Sequence, residues 1–303
     1  MMETLPIAFM NAAGWAKTVE QVEKLAKVPT ISHVVIGSFT IEAREGNVGG
    51  TNFNVSVLDG TSVNSLGLPN GGAAYLDAYG KEMEQIAVEN EKIFVVSIAG
   101  FSPSEYEQLA TIAFENGAHI VEVNAGCPNV HDDGKQKEIV SYNLEMLESI
   151  LSHIGYSTKG KPLWLKLSPY ANPEDRVRVA KLVEQFEDID AIVVANTFPN
   201  ISMYHPDGKP FINVANNYGG MAGTALKWIN LSQCRHYREL LPDFINIIGV
   251  GGISSGQDMY DYLRVGCRGV QVGTSFFWSE NFRVFEKITT ELLDVAEQYT
   301  TDA

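Results

Sequence analysis

Cysteine is scarce in this chain. Cys127, Cys234 and Cys267 stand far apart, odd in number and without a CxxC spacing. Such a set supports neither a disulfide framework nor a structural zinc site. Positive charge is also short: 22 Lys and Arg face 37 Asp and Glu, for a formal net charge of −15. A surface that acidic lacks the cationic footprint needed for a nucleic-acid backbone or an anionic membrane. No apolar run reaches ~18 residues, so no membrane span is expected. The start, MMETLPIAFMNAAG, has no basic stretch ahead of a long apolar core, so no secretory signal is read. Low-complexity tracts are absent, as are a P-loop and a well-placed GxGxxG. These absences leave a soluble, cytoplasmic protein as the expectation.

What is present is a repeating pattern. Apolar, β-branched runs occur at Pro6–Ala12, His33–Phe39, Ile93–Gly100 and His119–Gly126, then at Leu163–Pro169, Ala191–Phe198, Ile245–Gly252 and Gly269–Phe276. Their length and composition suit buried parallel strands. Helical periodicity fills the gaps: Val19–Lys27, Ala73–Glu89, Ser104–Asn116, Tyr142–Ile154, Pro173–Phe186, Ala225–Leu240, Gln257–Val265 and Asn281–Gln298. Ser102-Pro103 makes a helix start. Eight strand–helix pairs in 303 residues predict a single (β/α)8 TIM barrel spanning 1–303, with an open doubly wound sheet as the alternative. Two connections are long: Glu42–Leu68, read as a small hairpin insertion after strand 2, and the Asn-, Gly- and Pro-rich Pro199–Gly219, read as a loop after strand 6.

Active sites of such barrels lie at the C-terminal strand ends, where the unusual residues of this chain fall. Asn11-Ala12-Ala13-Gly14 closes strand 1, Asn124 leads to Cys127 and Asn129, Asn196-Thr197 closes strand 6, and Asn64 lies in the loop after strand 2. Each asparagine alone could cap or turn the chain. Together they suit the alternating donors and acceptors of a flat polar ligand. Lys166, inside an apolar strand, needs an acceptor or an anionic partner. Gly251-Gly252 and Gly273-Thr274 close strands 7 and 8, the usual phosphate site of these barrels, and Gly219-Gly220 with Gly223 could shut the same pocket. A mononucleotide such as FMN fits better than a dinucleotide. Cys127 is either a small buried hydrophobe or a thiol placed to react, and its loop position between two asparagines favours the second. Cys234 and Cys267 read as core residues. No metal site is expected.

NAGCPNV, KLSPY, VANTFPN, IIGVGGISSGQD and VQVGTSFF, in that order, resemble the class 1 dihydroorotate dehydrogenases. MNAAG, REGN and SVNSLGLPN extend the likeness nearly end to end, and GCPNV followed by GKQ points to the class 1A branch. The resemblance implies an FMN-dependent homodimer that oxidises dihydroorotate and reduces fumarate. It implies that Cys127 is the general base and that Lys166 stabilises charge on the reduced flavin. Asn64, Leu68, Asn124, Asn129, Asn196 and Thr197 would hold the substrate. Ala12, Ala13, Gly14, Ser38, Asn124, Lys166 and Gly223 would line the flavin, and Gly251, Gly252, Gly273 and Thr274 would take its phosphate. His131–Gln136 would form a mobile lid. Asp132 and Asp133, if close to Cys127, would raise its pKa.

Two departures from the family pattern bear on the substrate. A lysine expected at the end of strand 2 is Gly37, and the basic residue before REGN is Ala43. They keep open a related FMN oxidoreductase acting on a different small cyclic amide or carbonyl compound. They also suggest restoring the cation by Gly37→Lys.

Overall fold

The computed structural model describes residues 7–132, 135–277 and 280–301. Eight parallel strands close a barrel: β1 (Ala8–Asn11), β2 (His33–Phe39), β3 (Ile93–Ile98), β4 (Ile120–Asn124), β5 (Leu163–Leu167), β6 (Ile189–Val194), β7 (Asn246–Val250) and β8 (Gly269–Val272). Each strand pairs with its chain neighbours, and β8 pairs with β1. Around them lie α1 (Val19–Ala26), α2 (Gly72–Glu89), α3 (Pro103–Glu115), α4 (Leu144–Thr158), α5 (Pro173–Val183), α6 (Lys227–Leu240), α7 (Gly256–Arg264) and α8 (Arg283–Thr301). The α/β barrel class is therefore as expected. No helix among the described residues is long and apolar enough to cross a membrane.

The helix starts follow local chemistry. Ser102 caps α3, its hydroxyl accepting from the Glu105 N–H at 3.3 Å, with Pro103 in the first turn. Asn143 caps α4 through the Met146 N–H, so that helix begins two residues later than expected and runs on to Thr158. A short 3₁₀ turn, Val140–Tyr142, precedes it. Cys234 and Cys267 are buried in the layer between barrel and helices, as their apolar context implied.

Alternation along the strands divides the barrel into two layers. In Leu163-Trp164-Leu165-Lys166-Leu167 the leucines pack outward against helices, while Trp164 and Lys166 point inward. The lower interior is dry: Met10, Val35, Val95, Trp164, Ala191 and Ile248 plug it. The upper interior is polar, with Ser97, Glu122, Asn124, Lys166 and Gln271 all buried. Register explains their meeting: Ser97 lies opposite Glu122, and Asn124 opposite Lys166.

The two long connections correct the expectation. The hairpin after β2 is half of a four-stranded antiparallel sheet, ordered Phe198–Ile201, Gly219–Gly223, Thr61–Asn64, Phe53–Val55. The connection after β6, read as a loop, supplies the other half. Phe198 starts this second sheet and does not end β6, which stops at Val194. The gain is backbone satisfaction: Gly219–Gly223 pairs on both sides and leaves no open edge of its own.

Candidate active site

A cavity of about 400 Å³ opens at the C-terminal end of the barrel, under the four-stranded sheet. The residues expected to act on substrate or hold the flavin line it, whereas Asn11, Gly219 and Gly220, also singled out from sequence, do not. Ala12, Ala13, Gly14 and Ser38 come from the ends of β1 and β2. Asn64 and Leu68 come from the second sheet and the segment after it. Asn124, Cys127 and Asn129 come from the end of β4, Lys166 from β5, and Asn196 and Thr197 from the segment after β6. Gly223, Gly251, Gly252, Gly273 and Thr274 complete the wall.

The asparagines hold one another in place. Asn129 Nδ2 donates to Asn64 Oδ1 at 2.8 Å, and Asn196 Nδ2 donates to Asn124 Oδ1 at 2.9 Å. Asn124 Nδ2 donates to Ser38 Oγ at 2.9 Å. From Ser38 a polar chain runs into the barrel, through Ser97 to the Glu122 carboxylate. An ionised carboxylate only accepts, so Ser97 gives its proton to Glu122 and Ser38 must donate to Ser97. The chain has one direction, and Asn124 is locked with its amide toward Ser38 and its carbonyl toward Asn196.

Lys166 has the anionic partner its position demanded, and a second acceptor beside it. Its ammonium lies 2.9 Å from Gln271 Oε1 and 3.3 Å from Glu122 Oε1, while Gln271 Nε2 donates to Glu122 Oε2 at 2.7 Å. Sequence reading missed Glu122 and Gln271. The signal was available: each is a lone polar residue in an apolar strand, VEV and VQV, the same anomaly that singled out Lys166. Lys17 was missed as well. It lines the cavity from the loop between β1 and α1, and WAKT reads as an ordinary helix start.

Cys127 is partly buried on the loop after β4. Burial pushes its thiol pKa up, against the opposing pull of the Asn129 N–H and of the Arg44 and Lys17 cations. The upward direction was expected, but burial is the leading cause. Asp133 lies outside the described residues, as does Gly134 in the middle of the expected lid. The described ends of that segment pair His131 with Gln136, and Gln136 Nε2 donates to the Pro128 carbonyl at 2.8 Å, tying it to the Cys127 loop.

Gly37 is more than a missing side chain. Its φ is +95°, and a Cβ would run into the Ser97 carbonyl and lie 2.9 Å from the Phe39 nitrogen. No lysine fits there without moving the backbone. The substitution Gly37→Lys therefore does not restore a cation. The bare backbone at Gly37 instead holds the loop after β1: its N–H donates to the Ala16 carbonyl at 2.8 Å, and the Gly14 N–H donates to its carbonyl at 2.7 Å.

The opposite end of the cavity suits a phosphate-bearing group. Gly251 and Gly252 have φ of +117° and +67°, and a Cβ on Gly252 would lie 2.6 Å from Lys227 Cβ. The wall there includes backbone, hydroxyl and apolar surface; Ser254 donates to the Asp258 carboxylate and Ser275 to the Ile253 carbonyl, while the Thr274 hydroxyl lies 2.7 Å from that of Ser62. The Thr197 hydroxyl, buried in the wall, has no hydrogen-bond partner among the described residues. A buried hydroxyl left unpaired is costly. These features fit a flavin mononucleotide.

Comparison with known proteins agrees with this arrangement. The family model "Dihydroorotate dehydrogenase" matches residues 2–295. A Lactococcus lactis subsp. cremoris protein named dihydroorotate dehydrogenase A (fumarate) is 32% identical over 294 residues, covering 96% of this chain and 90% of the relative. A protein of the same name from Lactococcus lactis subsp. lactis matches to the same extent, 32% over 294 residues. A crystal structure of an Eimeria tenella DHODH in complex with ferulenol superposes with a TM-score of 0.77 at 18% identity, over 97% of this chain and 82% of that one. That last likeness concerns the fold alone.

Proposed function

We propose that this chain, which belongs to the dihydroorotate dehydrogenase family, oxidises (S)-dihydroorotate to orotate with FMN as its flavin and fumarate as the final electron acceptor. Family membership makes it an oxidoreductase. The observation that carries the finer reading is the convergence on one cavity of Cys127, a locked set of asparagines and a glycine-walled end.

The reaction removes a proton from C5 and a hydride from C6, leaving a C5=C6 double bond. When bound, FMN supplies the hydride acceptor, and fumarate, reduced to succinate, would return the flavin to its oxidised state. The remaining work falls to this chain. Cys127, as thiolate, takes the C5 proton. The asparagines Asn64, Asn124, Asn129 and Asn196 present amide groups to the imide edges of the pyrimidine, with Leu68 beside the ring and Thr197 alongside. Lys166 is held close to neutral balance by Glu122, so its charge is preorganised and costs no reorganisation when negative charge develops nearby. Ala12, Ala13, Gly14, Ser38 and Gly223 would flank the flavin, and Gly251, Gly252, Gly273 and Thr274 would hold its phosphate. A homodimer, a cytoplasmic setting and a single working domain over 1–303 go with this reading.

Gly37 supports a second reading, in which the same flavin and base act on a different small cyclic amide. One experiment separates them. Purified protein is checked for a flavin spectrum, made anaerobic, and mixed with dihydroorotate. Bleaching reversed by fumarate is expected. A yellow protein that stays yellow would retain the family and lose the substrate.

A further inference from the structure

Three charged side chains among the described residues line the cavity: Lys17, Asp59 and Lys166. Two of them are accounted for. Lys166 is neutralised by the fully buried Glu122. Asp59 is exposed at the rim, where its carboxylate accepts from the Thr61 N–H at 3.0 Å. Lys17 is different. It is mostly buried, and burial pulls its pKa down to about 8, opposed only by Cys127 when that residue is a thiolate. Among the described residues no carboxylate forms an ion pair with it. An ammonium withdrawn from water and left without an anion is unfavourable. Here it stands in a cavity, on the Cys127 side, where a ligand can bring the anion.

The backbone explains how the lysine gets there. The loop Gly14–Ala16 is clamped to Gly37 by the two main-chain hydrogen bonds described above, and position 37 itself is kept bare by the Ser97 carbonyl and Phe39. The next residue is Lys17. Its own N–H is taken by the Gln21 side chain at 2.8 Å, and Thr18 then caps α1, accepting from the Gln21 N–H. The lysine thus sits directly before the N-cap of the helix, fixed from both sides.

We propose that Lys17 binds the carboxylate of the substrate and fixes the acid end of the ring beside Cys127. The assignment rests on the dihydroorotate reading. The ion pair forms only with ligand present, so the lysine serves binding and orientation at the expense of the empty protein. It also selects acids over the same ring lacking a carboxylate.

The test uses the purified flavin-loaded protein, its Lys17→Met and Lys17→Arg variants, and orotate as probe. Orotate affinity is read by calorimetry, and thermal midpoint by circular dichroism with and without orotate. Lys17→Met should bind orotate roughly 10- to 100-fold more weakly, the range of a charge-assisted hydrogen bond. It should keep its flavin and melt, without ligand, at or above the wild-type temperature. Lys17→Arg should recover part of the affinity. Unchanged affinity in Lys17→Met, with wild type binding orotate, would overturn the role of Lys17 and leave the substrate reading standing. A variant that loses flavin or melts earlier would show a structural lysine and overturn it too. Wild-type protein that does not bind orotate would sink the substrate reading, and this assignment with it.

Discussion

Replacing Glu122 with glutamine should unsettle the barrel far from any surface. The carboxylate accepts from Lys166 and Ser97 on one oxygen and from Gln271 on the other. A glutamine must present an NH₂ at one of those positions. On one side it meets the Lys166 ammonium and the Ser97 hydroxyl; on the other it meets the Gln271 amide. Flipping Gln271 only turns its own NH₂ toward Lys166. No arrangement avoids two donors face to face, and the Lys166 charge, 4% exposed, is left unpaired. Breaking a buried pair by removing one partner costs about 3–5 kcal/mol. At roughly 2–4 °C per kcal/mol for a chain of this size, the melting midpoint should fall by about 6–20 °C. Adding Lys166→Met removes the orphaned cation, so the double variant should be clearly less destabilised than the sum of the singles. Urea titration of the four proteins, with flavin content followed alongside, measures the coupling. If the single losses add to within about 0.5 kcal/mol, or if Glu122→Gln melts like wild type, the network as described is wrong.

Three further outcomes follow from the site. Cys127→Ser should retain its flavin while dihydroorotate-driven bleaching slows by roughly 10²–10⁴-fold, the usual weight of a general base; wild-type rates would remove Cys127 from that role. Because burial raises the Cys127 thiol above its ordinary value and the thiolate is the working form, turnover should climb through the alkaline range. A rate that is flat or falling between about pH 7 and pH 9 would count against a thiol base. Gly37→Ala should lower stability by about 1–3 kcal/mol or more, since its backbone lies in the left-handed region and the Cβ collides with the Ser97 carbonyl; an unchanged melting curve would show that the loop clamp gives way easily.

Much of the barrel was legible because its signals are local. Runs such as HVVIGSF have the length and branching of buried strands, and β2 occupies that run from end to end. Site residues at strand ends were readable for the same reason, since the fold class says where the mouth is. The second sheet was half legible. Its first pair of strands is joined by a turn and could be sensed, but Gly219–Gly223, a strand of GGMAG, has no β-propensity and exists because Thr61–Asn64 and Phe198–Ile201 flank it. Lys17 escaped for a related reason. Nothing in WAKT marks a cation aimed at a ligand; its meaning comes from Gly37, twenty residues on, through backbone bonds that leave no trace in composition. Glu122 and Gln271 were within reach of the alternation argument already applied to Lys166.

The roof over the cavity has a consequence for how the chain comes to life. Thr61–Asn64 leaves the ribosome long before its partner strand Gly219–Gly223 exists, and it must wait until the chain has been made as far as residue 223 of 303. The barrel wall can grow by adding each new strand beside the last, whereas the lintel over its mouth can be set only when the sixth connection arrives. A nascent chain halted before that point would own the thiol, the lysines and most of the asparagines, yet have no covered place in which to use them. Chemistry in this protein is thus deferred by its own gene order until most of the chain is available to contain it.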